Sequence, residues 1–292
     1  MGKPVQYGGQ ALIEGVMMRG PKAIAMAIRL PNGEIEVTHQ EINPWSQKPV
    51  FKLPIIRGFI ALLDSLILGT KALMFSANKA VGEEEGEELS FWEMALTIII
   101  ALGAGVLLFV GLPTASAHLL DHLFPGTVLQ NLLEGLIRLA VLFIYIILIS
   151  RLSDIQRVFQ YHGAEHKTIF AYEAGEELKV ENARKYSRLH PRCGTSFLLI
   201  VVIVSIFVFA FLGLEPLWWR IVSRVLLMPL VAGISYELLK FSSRHTDSRV
   251  CRFLIAPGLL LQRLTTREPD DSQLEVAIAS LNGIVQTGQE LS

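Results

Sequence analysis

Leu132-Leu-Glu-Gly-Leu-Ile-Arg-Leu-Ala-Val-Leu-Phe-Ile-Tyr-Ile-Ile-Leu-Ile-Ser150 decides the fold class. A run this long and apolar is close to the ~20 residues that a helix needs to cross the hydrocarbon of a bilayer. Three further runs have the same character, at 94–112, 197–214 and 221–239. The chain is 51% hydrophobic and only 18% charged, against roughly 25% charged in ordinary soluble domains. A polytopic, mainly α-helical membrane protein with about four spans follows, pairing transmembrane helices in 93–150 and 197–239. The stretch 53–75 is apolar but carries Arg57, Asp64 and Lys71 at intervals of seven. Charges along one side suit an amphipathic helix at the membrane interface or against the bundle, and make a full span costly.

Lys and Arg set the orientation. The segment 113–131 has neither, and 215–220 has only Arg220. The segment 151–196 has eight, the tail 240–292 has six, and the first 92 residues have nine. Both termini and the central loop are therefore expected in the cytoplasm, around a multi-pass membrane core. Cys193 and Cys251 fall in these basic segments, where a disulfide is not expected. The start, Met1-Gly-Lys-Pro-Val-Gln, has no apolar signal-peptide core, and Gln6 argues against myristoylation. A net charge of −1 argues against nucleic acid as the main partner.

Outside the spans, residues 1–50 read as a small cytoplasmic Gly-rich and β-hairpin unit. Ala23–Leu30 and Glu34–His39 are strand-like, and Pro31-Asn32-Gly33 between them is a hairpin signal. Upstream, Gly8, Gly9, Gly15 and Gly20 crowd into 13 residues. They read either as loop punctuation or as backbone that approaches a ligand closely. The run 82–88, Gly-Glu-Glu-Glu-Gly-Glu-Glu, marks 76–92 as an acidic linker. The central loop 151–196 opens with a helical pattern over 153–173 that ends at Gly175, a C-cap residue. Helical spacing of Leu274, Ala277, Ile278, Leu281, Ile284 and Val285 predicts an amphipathic helix over 272–286.

Chemistry concentrates in the central loop. His162-Gly-Ala-Glu165-His166 has the H-x-x-E-H order of inverted zincins: two imidazoles four apart on one helix face and an acid of the type that activates metal-bound water. His162 and His166 are thus candidate ligands for a divalent metal, zinc by donor type, with Glu165 as general base. A third ligand is required. His190, Cys193 and Glu237 compete for that place, the last an acid in an otherwise apolar span. Lys240 and Arg244 share its helix face as ion-pair partners. His118-Leu-Leu-Asp121-His122 repeats the spacing in a lean loop, with only Glu215 nearby, and reads as interfacial polar residues. No Ser-His-Asp set, P-loop or dinucleotide fingerprint is present.

Four stretches together carry a resemblance: Gly9–Gly20, Tyr161–Thr168, His190–Ser196 and Leu264–Asp270. They resemble the hallmark segments of the YqhQ-like family of bacterial membrane proteins, over almost the whole chain. That family is a domain of unknown function, sometimes described as a predicted metal-dependent enzyme. The resemblance implies a membrane location and favours the central His/Glu cluster; it implies no substrate. The leading expectation is a membrane protein with a cytoplasmic metal-binding, hydrolytic site. Its alternative is a non-enzymatic scaffold that docks a cytoplasmic or membrane partner, or another copy of the chain, through the N-terminal unit and the tail helix. A transporter is disfavoured because four spans with few buried charges offer little polar pathway.

Overall fold

A computed structural model describes residues 7–42, 53–81, 91–244 and 248–290. The chain's first residues, the end of the N-terminal unit and the acidic run lie outside the described residues. Helix dominates, with a four-stranded antiparallel sheet in the order β1 (Gly8–Leu12), β2 (Gly15–Arg19), β3 (Ala23–Arg29), β4 (Ile35–Glu41). The expected hairpin is β3–β4, in which Arg29 pairs with Ile35 and Gly33 takes φ 88°. The glycine-rich stretch is not a loop. It forms the β1–β2 hairpin, whose two strands pair from Gly8–Arg19 to Leu12–Gly15. Its weak alternation hid it: β2 is buried along both faces, so the sequence lacks the polar/apolar rhythm of a half-exposed strand.

Each sheet face has its own cover. Val16, Met18, Ala23, Ala25 and Ala27 point to a core shared with α5 (Ser153–Glu173) and α10 (Asp271–Glu290). Leu12, Met17, Ile24 and Met26 point to Ala72, Leu68 and Phe75 of α1 (Ile56–Val81). Successive strand residues serve opposite layers because side chains alternate with period two. The two surfaces that a scaffold reading would use for docking thus pack on the chain itself. Helix α5 matches its predicted limits; Gly175, at φ 75°, follows its last turn, where the Glu176 N–H reaches back to the Ala171 carbonyl.

The membrane part contains α2 (Phe91–Val106), a π turn at Leu107–Gly111 that continues into α3 (Leu112–Leu119), and α4 (Thr127–Ile149). After the short α6 (Val180–Ala183) come α7 (Gly194–Phe209), α8 (Leu217–Arg244) and α9 (Arg249–Thr265). Four helical stretches are long and apolar enough to cross a bilayer: Ile56–Ala80, Ala95–Leu119, Thr127–Ile149 and Leu217–Ser242. The set differs from the expected one. The 53–75 stretch qualifies by length and apolarity, and two of its charges are paired: Arg57 with Glu237 and Asp64 with Arg19. The 197–214 stretch is instead the 16-residue α7, about 24 Å long at 1.5 Å per residue. Outward apolar side chains such as Phe211 (83% exposed) and Leu107 (71%) suit contact with lipid rather than water.

The bundle interior is more charged than expected. Glu134, Arg138, Arg220 and Arg224 are all at most 3% exposed. Arg220, counted above with a connecting loop, belongs to the first turn of α8.

Candidate functional site

Helix α5 leaves the bundle end of α4 and packs beside α10 on one face of the sheet, carrying His162, Glu165 and His166 on adjoining turns. The segment after α9 crosses it. An added Cβ at Gly163 would stand 2.1 Å from the Arg267 carbonyl oxygen, so only glycine admits this crossing. The Arg267 N–H donates to the Phe159 carbonyl, and the Thr265 carbonyl oxygen lies 2.9 Å from His162 Nδ1. On the other side, Arg188 offers its carbonyl to His166 Nδ1 at 2.5 Å. Carbonyls only accept, so both rings carry their proton on Nδ1 and keep Nε2 as a bare lone pair.

Those lone pairs meet a thiol. His162 Nε2 is 3.1 Å from Cys193 Sγ. One ligand atom from each of His162, His166 and Cys193 lies within 4.8 Å of the other two. Cys193 is the N-cap of α7, its sulfur accepting from the Thr195 N–H at 3.4 Å. His166 and Cys193 are buried and His162 half-buried. Burial holds His166 below the usual imidazole range, against the pull of the Cys193 thiol. Both cysteines are free.

Glu165 faces the sheet. Its carboxyl is buried, which raises its pKa against the opposing influence of His162, His190 and the Gly9 N–H. Gly9 sits so close that an added Cβ would be 2.8 Å from the Glu165 Cγ and Cδ and from the Met17 carbonyl oxygen. The glycine-rich hairpin and the histidine motif, more than 140 residues apart in the chain, therefore form one wall.

His190 stands beside the three ligand atoms without joining them. Its ring centroid is 5.5 Å from that of His166. The Arg192 N–H donates to His190 Nδ1 at 3.2 Å, so the neutral ring carries its proton on Nε2. That Nε2 is buried with no hydrogen-bond partner among the described residues; the nearest acid, Glu173, is 3.8 Å away. Burial pushes the His190 pKa down to about 4, with Glu165 opposing. Gln262 fixes the backbone here, accepting from the His190 N–H at 2.8 Å and donating to its carbonyl at 2.9 Å.

Glu237 is elsewhere. It takes both arms of the Arg57 guanidinium, with Nε 2.6 Å from Oε1, and ties α1 to α8. Of the three residues expected to compete for the third ligand position, only Cys193 stands with both histidines. Glu237 takes its hydrogen bonds from Arg57, 180 residues earlier in the chain. The second H-x-x-D-H copy gathers His118, Asp121 and Glu215, the acids being exposed. Thr265, Arg188, Gln262 and Gly9 act through backbone groups, an amide side chain or a missing Cβ. Of these, only Gly9 was marked beforehand, by the crowding of glycines around it.

The fold and the His–Glu–Cys wall define a class: a helical membrane protein with a compact sheet-and-helix unit built onto one end of its bundle. The chain belongs to the family described as "Protein of unknown function (DUF1385)", whose model matches residues 53–287. It is 40% identical to the "Uncharacterized protein YqhQ" of Bacillus subtilis (strain 168), over 97% of this chain and 93% of that protein. No solved structure matches it.

Proposed function

We propose that the protein is a metal-dependent hydrolase of the bacterial cell membrane, with its reactive centre on the cytoplasmic face. The observation that carries this reading is the pair of backbone carbonyls behind the two imidazoles. Metal-binding histidines commonly donate their second N–H to a carbonyl or carboxylate, which fixes tautomer and ring direction. Here Thr265 and Arg188 do so for His162 and His166, and both free Nε2 atoms turn toward a helix-capping thiol. Three N/S ligands with a fourth position for water is the pattern of a catalytic zinc site. A zinc ion held there would supply a hydroxide near neutral pH.

The chain's own residues divide the remaining work. Glu165, one helical turn from His162 and backed by the Gly9 N–H, is the proton acceptor. Neutral His190, with its Nε2–H unspent, is the donor placed to stabilise an oxyanion. The cytoplasmic side is favoured by the 23 Lys and Arg that lie outside 93–150 and 197–239, following the positive-inside rule.

Metal analysis of the detergent-purified full chain tests the reading. Near-stoichiometric zinc in the wild type and in Glu165→Gln, lost in His162→Ala and Cys193→Ala, is the expected pattern. Equal, trace metal in wild type and His162→Ala would remove the metal and the hydrolase together.

A further inference from the structure

Only three Lys or Arg residues fall within 93–150 and 197–239, and all three converge on one acid. Glu134 of α4 receives Arg138 Nη2 at 2.7 Å, Arg220 Nε at 2.9 Å and Arg224 Nε at 3.2 Å, besides the Thr114 hydroxyl at 3.1 Å. One carboxylate against three guanidinium groups leaves two positive charges in excess. Burying ions costs several kcal/mol each even after relaxation, unless partners repay it.

The three arginines are not equally served. Arg138 also donates to the Phe109 carbonyl and the Ser205 hydroxyl, and its guanidinium lies over the Phe209 ring. Arg224 reaches Asn131 Oδ1 and the Ser223 hydroxyl. Arg220, 0% exposed, has both terminal nitrogens without a hydrogen-bond partner among the described residues. The turn between α7 and α8 closes over this end of the cluster. Asn131 holds the carbonyls of Ala210 and Leu212, and Arg224 reaches that of Gly213 at 3.4 Å.

We propose that Arg220, with Arg224, forms an oxyanion site for a phosphate-class group, entered when the α7–α8 turn lifts. The two unspent donors of Arg220 form a planar fork, the geometry that grips two oxygens at once. The excess of two charges matches a phosphate monoester, which carries about −1.5 to −2 near neutral pH. The same chemistry belongs to free phosphate and to a phospholipid headgroup such as phosphatidic acid. This site is separate from the His–Cys centre and stands or falls independently of it.

Thermal unfolding of the full chain tests the proposal in two arms. One uses uncharged detergent, titrating inorganic phosphate against chloride at constant ionic strength. The other uses phosphatidylcholine nanodiscs with and without phosphatidic acid, in phosphate-free buffer. Saturable stabilisation is expected in at least one arm, with half-saturation about tenfold weaker in Arg220→Gln, the loss of one bidentate contact. A response in detergent identifies free phosphate as sufficient; a response confined to nanodiscs identifies the lipid headgroup. If Arg220→Gln does not fold, Arg220→Lys keeps the charge without the fork and is again expected to bind about tenfold more weakly. No saturable response in either arm overturns the site, as does one that an Arg220 variant shares unchanged.

Discussion

Gly9 lies against the Glu165 carboxyl so closely that an added Cβ there would sit 2.8 Å from two carbons of that side chain, and the Gly9 N–H opposes the rise that burial imposes on the carboxyl. The N-terminal hairpin is thus a wall of the candidate site rather than a separate appendage. Its position also ties the site to α1, since Met17 and Leu12 of the same hairpin pack on Ala72 from the sheet's other face.

Gly9→Ala should therefore damage both packing and site. The Met17 carbonyl, also 2.8 Å from the new carbon, is backbone and cannot swing away. We expect a loss of about 1–3 kcal/mol, the usual cost of overpacking, measured by denaturant unfolding in detergent. Gly8→Ala, where an added Cβ meets nothing within 4 Å, is the control and should be near wild type.

Gly163→Ala should act on the metal ligands without touching one. Its new carbon would displace the Arg267 carbonyl and with it the end of α9 that carries Thr265. Zinc affinity is expected to fall about 10- to 100-fold, as when a ligand's outer partner is lost. Competition with a chromophoric chelator gives the value, and unchanged affinity would mean that Thr265 does not orient His162.

The roles of Glu165 and Glu237 separate under the same substitution. Glu165→Gln should keep zinc and fold, yet fail to complement a deletion strain. Glu237→Gln should also keep zinc but lower the melting temperature slightly, since its partly exposed pair with Arg57 is a solvent-screened one. Full complementation by Glu165→Gln beside failure of His162→Ala would leave a structural metal and no hydrolase.

Glu134→Gln removes the one acid shared by three buried guanidinium groups. Breaking a buried pair typically costs about 3–5 kcal/mol because the remaining charge is stranded. We expect a large fall in melting temperature, partly reversed by phosphate.

Cysteine labelling in intact cells checks the orientation. Cysteines at Gly126 and Glu215 should react with an impermeant reagent, and cysteines at Lys179 and Ser272 should not. Native Cys193 and Cys251, 5% and 2% exposed, give little background. Reaction at Lys179 would move the His–Cys centre to the outer face.

The sequence by itself determined most of what depends on neighbours along the chain, the β1–β2 hairpin being the exception. Helix α5 was legible to its last residue, because periodicity and Gly175 are local signals. The β3–β4 hairpin, the tail helix and the apolar stretches were legible for the same reason, as was the pairing of His162 with His166 on one face. Tertiary structure decided whatever joins distant segments. Cys193 came to stand within 4.8 Å of both histidines, in a backbone held by Gln262 and Thr195, while Glu237 found Arg57 across the α1–α8 contact. Spacing cannot rank three candidates that lie 24 to 71 residues beyond His166. The arginine cluster left a faint trace, since Glu134/Arg138 and Arg220/Arg224 are each four apart in apolar runs. Its convergence on one carboxylate arises only when α4 and α8 pack together. Carbonyl groups that set a tautomer have no residue-type signature at all. Every residue carries the same carbonyl, and only the folded path of the chain aims it.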